Sequence, residues 1–313
     1  MNEHRVHIKK YDIKNMMNFY KSYHRKLLLI IIGIILILVT PVIIYFSRSP
    51  VLVVTDFSSI PLYGKARISR RVRSASFALF RRVITVPVAD DAAADIVRFA
   101  AEEAHSSPNC VIFPYRFARA SRLYHENNPG IPVILLQGRY NADENIPSGS
   151  KDGYFIYKTD INHDFKIAGV IACALDTGIN GKIAVFLDQS FKTQAENALL
   201  GTLGEYENPP EAVFFASYSE FYEIPDLSFA ILAGEGIGFF ENQKEIPVIL
   251  FTWIDPYLLP KNTAAIIDDS PWVQITEAVR AVRRGEEQVF LKSGLEIING
   301  YKIEKRTLRK IGK

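Results

Sequence analysis

The segment from Leu27 to Phe46 (LLLIIIGIILILVTPVIIYF) is twenty residues long and carries no charge, and it restricts the fold more than any other feature. At about 1.5 Å per residue, a helix of this length spans ~30 Å, the thickness of the hydrocarbon core of a bilayer. A helix buried in a soluble protein rarely stays apolar on every face for so long. Pro41 does not exclude a span, because lipid leaves the backbone no alternative to a helix. The segment therefore predicts one transmembrane helix.

The flanking charges predict its orientation. Before the apolar segment, basic residues outnumber acidic ones by seven to two, whereas Arg48 alone follows it ahead of the first strand-like run. The basic residues are Arg5, Lys9, Lys10, Lys14, Lys21, Arg25 and Lys26, and the acidic ones are Glu3 and Asp12. The positive side of a span stays in the cytoplasm. We therefore expect residues 1–26 to form a cytoplasmic arm, residues 27–46 a signal anchor in the inner membrane, and the chain after it an extracytoplasmic domain.

A cleaved signal peptide is the competing interpretation of the same segment. Its apolar region normally has 7–15 residues and ends in a small-x-small cleavage site. Here the run is longer and is followed by Tyr45-Phe46-Ser47-Arg48, a poor cleavage site, and it has no cysteine at its end to carry a lipid. The sequence favours an uncleaved anchor.

The rest of the chain alternates short apolar strands with amphipathic helices. The predicted strands are Val51–Thr55, Val83–Val88, Cys110–Phe113, Val133–Leu136, Lys182–Leu187, Ala212–Phe215, Phe229–Leu232, Val248–Thr252 and Ala264–Ile267. The predicted helices are Ala66–Arg82, Asp91–His105, Arg116–Asn127, Asn162–Thr177, Thr193–Glu205, Gly234–Asn242 and Pro271–Arg284. Continuous Val/Ile/Leu/Phe runs are typical of parallel strands covered on both faces. The pattern predicts an α/β fold with doubly wound parallel sheets.

Two further features of composition bound the class of protein. Cys110 and Cys173 each lie inside an apolar run, which favours two buried free thiols, with a disulfide between them as the alternative. The net charge of +3 is small and comes partly from the basic arm, so it does not indicate a nucleic-acid partner.

Three segments of this pattern resemble the type I periplasmic binding proteins and the lactose-repressor-like sensor domains that share their fold. A strand-like segment ending in Asp160, a helix with Gly169 and Leu175, and the run Gly181 to Val185 resemble the start of the second lobe in that family. The run from Ile249 to Asp255 resembles a late strand of that lobe that ends in an acidic residue. Ile266-Ile267-Asp268-Asp269 and the helix after it resemble the return of the chain to the first lobe.

The resemblance implies two α/β lobes behind the membrane helix. The first would take residues 50–157 and 265–313, and the second residues 158–264. The polar segment from Tyr140 to Gly153 would form a loop at or beside a crossing between them. Relatives that regulate genes carry a DNA-binding motif where this chain has the apolar helix, which argues against DNA binding.

Motifs for catalysis and for cofactors are absent. The chain has no Walker A, GxGxxG, HExxH, GxSxG or CxxC motif, and its histidines show no metal-ligand spacing, so neither a cofactor nor a metal is expected. The glycine-rich run from Gly234 to Gly238 could hold a phosphate at a helix N-terminus, but Glu235 would repel an anion. We interpret it as a turn and a close-packing site.

Candidate ligand-binding residues follow from the topology, because ligands of open α/β folds lie at the carboxyl ends of the strands. Trp253 and Asp255 are the first choices, because their strand has the clearest resemblance to the binding-protein family. Side chains two residues apart on an extended segment point to the same side, so both would face the cleft. The other candidates are Asp56, Phe57, Tyr115, Arg116, Gln137, Arg139, Asp188 and Asp268. Aromatic faces combined with carboxylates and amides would suit a sugar or a nucleoside.

The first predicted helix has an unusual charge. Residues 65 to 82 include seven basic residues and no acidic one, namely Lys65, Arg67, Arg70, Arg71, Arg73, Arg81 and Arg82. A solvated helix face is one interpretation, and a surface that contacts anionic lipid beside the anchor is the other.

The leading hypothesis is a membrane-anchored solute-binding or sensing protein that closes two lobes on a small polar ligand, with a membrane permease as a candidate partner. An envelope interaction protein with a degenerate cleft is the alternative. An exported enzyme ranks last, because no nucleophile–base pair can be named.

Overall fold

The computed structural model describes residues 26–139, 152–175, 181–234, 239, 243, 245–251, 259, 261–287 and 289–298. The chain forms two compact units, one ending at Ser49 and one beginning at Pro50. The first unit contains helix α1 (Lys26–Ser47), which has 22 residues and encloses the predicted span, and an 18-residue window within it has a mean hydropathy of 3.4. By length and composition α1 can cross a membrane.

The second unit alternates strands and helices. Its helices are α2 (Ser59–Tyr63), α3 (Lys65–Leu79), α4 (Ala94–Ala104), α5 (Ala118–Asn127), α6 (Ile161–Leu175), α7 (Lys192–Leu203) and α8 (Pro271–Arg284). Its strands are β1 (Val51–Asp56), β2 (Val83–Val88), β3 (Cys110–Pro114), β4 (Val133–Gly138), β5 (Tyr154–Thr159), β6 (Lys182–Leu187), β7 (Glu211–Phe215), β8 (Leu227–Ala233), β9 (Val248–Leu250), β10 (Thr263–Asp268), β11 (Phe290–Leu291) and β12 (Gly294–Ile297).

The strands form two six-stranded sheets, as the pattern predicts. The first sheet has the order β11-β5-β4-β3-β1-β2, and all its pairs are parallel. The second has the order β12-β10-β9-β8-β6-β7, and only β12 runs antiparallel to its neighbour. Each sheet with its helices is called a lobe below. The α/β class and the two doubly wound parallel sheets are confirmed.

Each sheet is covered on both faces, which explains why most residues of its central strands are apolar. All six residues of β1 are buried. Val51 and Val53 belong to one apolar cluster with α3 and α8, whereas Leu52 and Val54 belong to another with α4 and α5. Successive side chains of a strand point to opposite faces, so a strand covered on both sides needs an apolar residue at every position.

The chain crosses between the lobes at three places. It leaves the first sheet after β5, returns to the first lobe between β10 and α8, and crosses again between β11 and β12. The predicted division assigned residues 265–313 to the first lobe. In the structure β10 pairs with β9 as far as Ile266 and with β12 as far as Asp268, so strand pairing moves the second crossing to residues 269–270.

The strands β11 and β12 were not predicted. They have two and four residues, and most of their side chains are only partly buried, so they lack the apolar run that marks the other strands. The two cysteines do not form a disulfide, and Cys110 is buried whereas Cys173 is half-buried. At Gly234 a Cβ atom would lie 2.8 Å from the backbone nitrogen of Asp188, so this glycine is required for close packing between the ends of β8 and β6.

Candidate functional site

A cavity of about 280 Å³ opens at the carboxyl ends of β1 and β3 in the first lobe. Its wall is completed by the first turn of α8, where the chain has just returned from the second lobe. The lining residues are Thr55, Asp56, Ser58, Ser59, Leu62, Pro114, Arg116, Pro271 and Trp272. The site thus lies where strand ends meet in an open α/β fold, the usual place for a ligand.

Asp56 organises the polar side of this cavity. Its Oδ1 atom accepts hydrogen bonds from the Ser59 backbone N–H at 2.7 Å, from the Ser58 hydroxyl at 2.9 Å and from the Ser59 hydroxyl. Its Oδ2 atom lies 2.7 Å from Nη1 of Arg116. Burial alone would raise the pKa of Asp56, but the hydrogen bonds from Ser59, Ser58 and Arg116 outweigh it, so the pKa lies below the ordinary value. Asp56 is therefore an ionised carboxylate that holds Ser58, Ser59 and Arg116 in place, and both of its oxygens already have partners.

Arg116 presents the charge that a ligand can reach. Its Nη2 atom donates to the backbone oxygen of Asp90 at 3.1 Å, and Nη1 binds Asp56, which fixes the guanidinium plane. About 44% of the side chain remains exposed. A positioned and partly exposed guanidinium is a strong donor to hydroxyl or carboxylate oxygens, because its geometry is set before the ligand arrives.

The remaining wall of the cavity is apolar. Leu62, Pro114, Pro271 and Trp272 line it, and Trp272 is only 3% exposed because it packs into the core of the first lobe. Sequence reasoning missed Trp272. The sequence does contain a signal for it. Pro271 begins a helix shortly after β10 ends, so the residues next to it belong to the surface formed by the strand ends.

Arg139 connects the two lobes, close to the places where the chain crosses between them. It follows β4 of the first sheet, yet its Nη1 donates to the backbone oxygen of Phe251 at 2.9 Å and its Nη2 to that of Ile267 at 3.1 Å, both in the second lobe. Its guanidinium lies 4.6 Å from the centre of the Phe251 ring. Two carboxylates flank it, Asp164 at 3.5 Å and Asp269 at 3.4 Å. A single buried cation therefore serves both lobes.

A second ionic contact joins the lobes through Asp268, the last residue of β10. Its Oδ2 atom accepts a hydrogen bond from the Tyr63 hydroxyl at 2.6 Å and lies 3.4 Å from Nη2 of Arg67, and Nη2 also contacts Glu296 of β12. Arg67 is only 4% exposed. Arg71 lies 3.7 Å from the same Glu296. The basic face predicted for α3 thus requires a correction, because Arg67 is a buried ion-pair partner and not a solvated charge.

The predicted site residues of the first lobe divide into two groups. Asp56 and Arg116 line the cavity. Phe57, 55% exposed, lies at the same strand end without lining the cavity, and Tyr115 is half-buried in the single turn after β3. Gln137 is buried in β4, and its Oε1 atom has no hydrogen-bond partner among the described residues.

The other predicted residues are not at the cavity wall. Arg139 and Asp268 form the contacts between the lobes described above. Asp188 follows β6, where its carboxylate accepts the backbone N–H of Ser190 at 2.8 Å in a local turn. Trp253 and Asp255 lie outside the described residues. Their proposed position across the cleft from Phe57 and Asp56 stays a prediction.

Comparisons with known proteins find similarity in structure alone. No family model matches the sequence, and no curated protein matches it. Among solved structures, an arabinose-binding protein from Geobacillus stearothermophilus aligns with a TM-score of 0.55 and 16% identity, over 80% of this chain and 96% of that one. An ABC transporter periplasmic solute-binding protein from Actinobacillus succinogenes with bound D-allose aligns with a TM-score of 0.53 and 14% identity, over 80% and 98%.

A gene regulator shows the same degree of likeness. A transcriptional activator of the comK gene from Bacillus halodurans aligns with a TM-score of 0.55 and 11% identity, over 84% of this chain and 95% of that one. At such identities the likeness concerns the fold and carries no activity with it. Residues 50 onward have the two-lobed fold of the type I periplasmic binding proteins, behind an N-terminal helix that is a candidate membrane anchor.

Proposed function

We propose that this protein is a membrane-anchored extracytoplasmic binding or sensing protein that closes its two lobes on a small polar ligand of the sugar or nucleoside class. The observation that carries the proposal is the cavity at the ends of β1 and β3, with a guanidinium held in place by Asp56. It lies on the surface of the first lobe that a type I binding fold turns toward its ligand. The mechanism is binding and hinge closure, without a chemical reaction.

The two sides of the cavity suit a molecule with hydroxyls and one apolar face. Arg116 and the serine hydroxyls offer hydrogen bonds, while Leu62 and Trp272 offer apolar contact. Two solved structures with this fold are described as binding arabinose or holding D-allose. Trp253 and Asp255 are proposed to close on the ligand from the second lobe, and Phe57 to stack against its open side.

A thermal-shift screen of the full chain in detergent tests this proposal. Monosaccharides and nucleosides of the correct class should raise the melting temperature, because a ligand that binds the folded state alone stabilises it. Arg116→Ala should then weaken binding about ten- to a hundred-fold, since it removes a charged hydrogen bond worth roughly 1.5–3 kcal/mol. Titration of both proteins with the stabilising ligand gives the two dissociation constants.

The matched control is Arg119→Ala, because Arg119 is an exposed arginine on α5 that does not line the cavity. Its ligand affinity should equal that of the unaltered chain. If the Arg116→Ala protein binds the ligand as tightly as the control, the cavity is not the ligand-binding site. A chain stabilised by none of the compounds would favour a different class of function.

That second function is an envelope interaction protein whose cleft no longer binds a solute. One observation favours it. Both oxygens of Asp56 are occupied by partners within the protein, so the carboxylate at the end of β1 has little capacity left for a ligand. Its partners would then be other proteins.

The orientation in the membrane forms part of the proposal and has its own test. The excess of basic residues before α1 should keep the N-terminus in the cytoplasm and export the domain that starts at Pro50. Protease added to intact spheroplasts should therefore digest the domain. A domain that is cut only after the spheroplasts are lysed would reverse the orientation.

A further inference from the structure

The exposed side of α3 combines positive charge with an aromatic side chain. Arg70, Arg73 and Phe77 follow one another at helical spacings of three and four, and all three are exposed. Ile68, Ala75 and Leu79 occupy the opposite, buried side of the same helix, and Arg67 is buried as well. After the correction for Arg67, a basic surface therefore remains, and none of the residues from 65 to 82 is acidic.

Phe77 is the least expected member of this surface. It is 86% exposed, more than any other large apolar side chain that the structure describes. Phe80, just after the helix, is 37% exposed. An exposed phenyl ring gains no burial free energy in the isolated domain, and an aromatic ring next to basic side chains is suited to the boundary of a lipid headgroup layer.

Strand pairing places the end of α3 beside the point where the chain enters the domain. The backbone N–H of Val51 donates to the oxygen of Arg82 at 2.9 Å, and Val51 pairs with Val83. Helix α1 ends at Ser47, so only residues 48–50 separate it from β1. The four residue steps from Ser47 to Val51 span at most ~14 Å when fully extended.

Helix α8 adds further positive charge at the same edge. Arg280 and Arg283 are exposed on it, and α8 packs against α3. Helix α8 also contacts β3, and the charges of Arg283 and Arg81 partly oppose the rise in the pKa of Cys110 to about 12 that burial causes. Cys110 pairs with Val51. Arg284 forms ion pairs with Glu277 and Glu286, so its charge is neutralised. Just after α8, the exposed Glu287 places a negative charge near these arginines.

We propose that the basic edge, defined as Arg70, Arg73, Phe77, Arg280 and Arg283, binds the anionic lipid headgroups of the membrane that anchors the chain, with Phe77 at headgroup depth. The inference rests on the proposed anchoring by α1. Attraction between basic side chains and anionic lipid acts within a Debye length of about 8–10 Å, comparable to the reach of the three linking residues. The C-terminal dipole of a helix accounts for Arg283 near the end of α8, but not for Arg70, Arg73 or an exposed Phe77.

Tryptophan quenching in nanodiscs tests the basic edge with the full chain. Phe77→Trp is compared with Phe99→Trp, a matched control on α4, which covers the other face of the same sheet and where Phe99 is 56% exposed. The signal of the unaltered chain is subtracted. In discs of brominated phosphatidylglycerol, quenching of the tryptophan at position 77 should exceed that at position 99 at least two-fold. Adding Arg70→Glu and Arg73→Glu should bring it down to the control value.

The outcomes separate the inference from the anchoring on which it rests. Failure of the chain to enter nanodiscs would refute the anchoring itself. A chain that enters but shows equal quenching at positions 77 and 99, or quenching as strong in zwitterionic brominated lipid, would overturn the basic edge. A fluorescence change at position 77 that appears only in discs holding two copies would assign this face to contact between copies and would equally overturn it. Unchanged melting temperatures of the exposed-site variants exclude misfolding as the cause.

Discussion

Arg139→Ala should lower the free energy of unfolding by about 3–5 kcal/mol, the usual cost of removing one partner from a buried ion pair. The alanine would leave the carboxylates of Asp164 and Asp269 without their cation, and the backbone oxygens of Phe251 and Ile267 without their donor. Because Arg139 belongs to the first lobe and its partners lie in the second lobe or at the crossing, the loss should loosen the contact between the lobes. Thermal unfolding of the full chain should show a fall in melting temperature of roughly 6–20 °C.

Two comparisons sharpen this experiment. Arg119→Ala removes an exposed arginine from α5 and should change the melting temperature by little. Arg139→Lys keeps the charge but cannot reach two carbonyls and two carboxylates at once, so its effect should lie between the two alanine variants. If the Arg139→Ala and Arg119→Ala proteins have the same melting temperature, the described contacts between the lobes do not stabilise the fold.

The buried carboxylate beside Arg139 should make stability depend on pH. Burial is the main cause that raises the pKa of Asp164 from 3.8 to about 7; Asp269 and Asp160 contribute to the rise, and Arg139 and a hydrogen bond from Ser293 oppose it. Between these two values the folded state holds more protons than the unfolded state. The contribution of Asp164 is therefore fully present below about pH 4 and is lost as the pH rises through about 7.

The size of this effect follows from the shift. A rise of about three pKa units corresponds to roughly 4 kcal/mol, which is an upper bound for the stability lost between pH 4 and pH 8 through this one group. Asp164→Asn should abolish that part of the dependence and keep an acceptor for the Ser293 hydroxyl, which donates to Asp164 at 2.7 Å. Chemical unfolding at a series of pH values, for the variant and the unaltered chain, gives the two slopes.

Asp95→Asn is the control for this series, because Asp95 is an exposed carboxylate in the first turn of α4. It should leave the slope between pH 5 and pH 8 unchanged. A slope that Asp164→Asn also leaves unchanged would mean that Asp164 is ionised in the folded protein throughout this range.

Local patterns in the sequence suffice for the architecture. The apolar segment from Leu27 to Phe46 predicts α1, and the continuous apolar strands predict sheets covered on both faces, because both signals lie within one element. The rule that ligands lie at strand ends predicts Asp56 and Arg116 as candidates, and both line the cavity, since Asp56 ends β1 and Arg116 lies in the turn after β3. The nine strands that the sequence predicts are all present within the described residues, whereas the short β11 and β12 are visible only through their pairing.

Only the tertiary structure decided which charges are buried and what they hold. In the sequence, Arg67 is one of seven basic residues on a helix, and Arg139 is one strand-end candidate among several. In the fold, Arg67 meets a carboxylate 229 residues away, and Arg139 donates to a carbonyl 128 residues away. Trp272 reaches the cavity wall because the chain has returned from the second lobe just before it. Such contacts depend on how distant segments of the chain pack, and the local sequence around a residue does not identify a partner that lies far away in the chain.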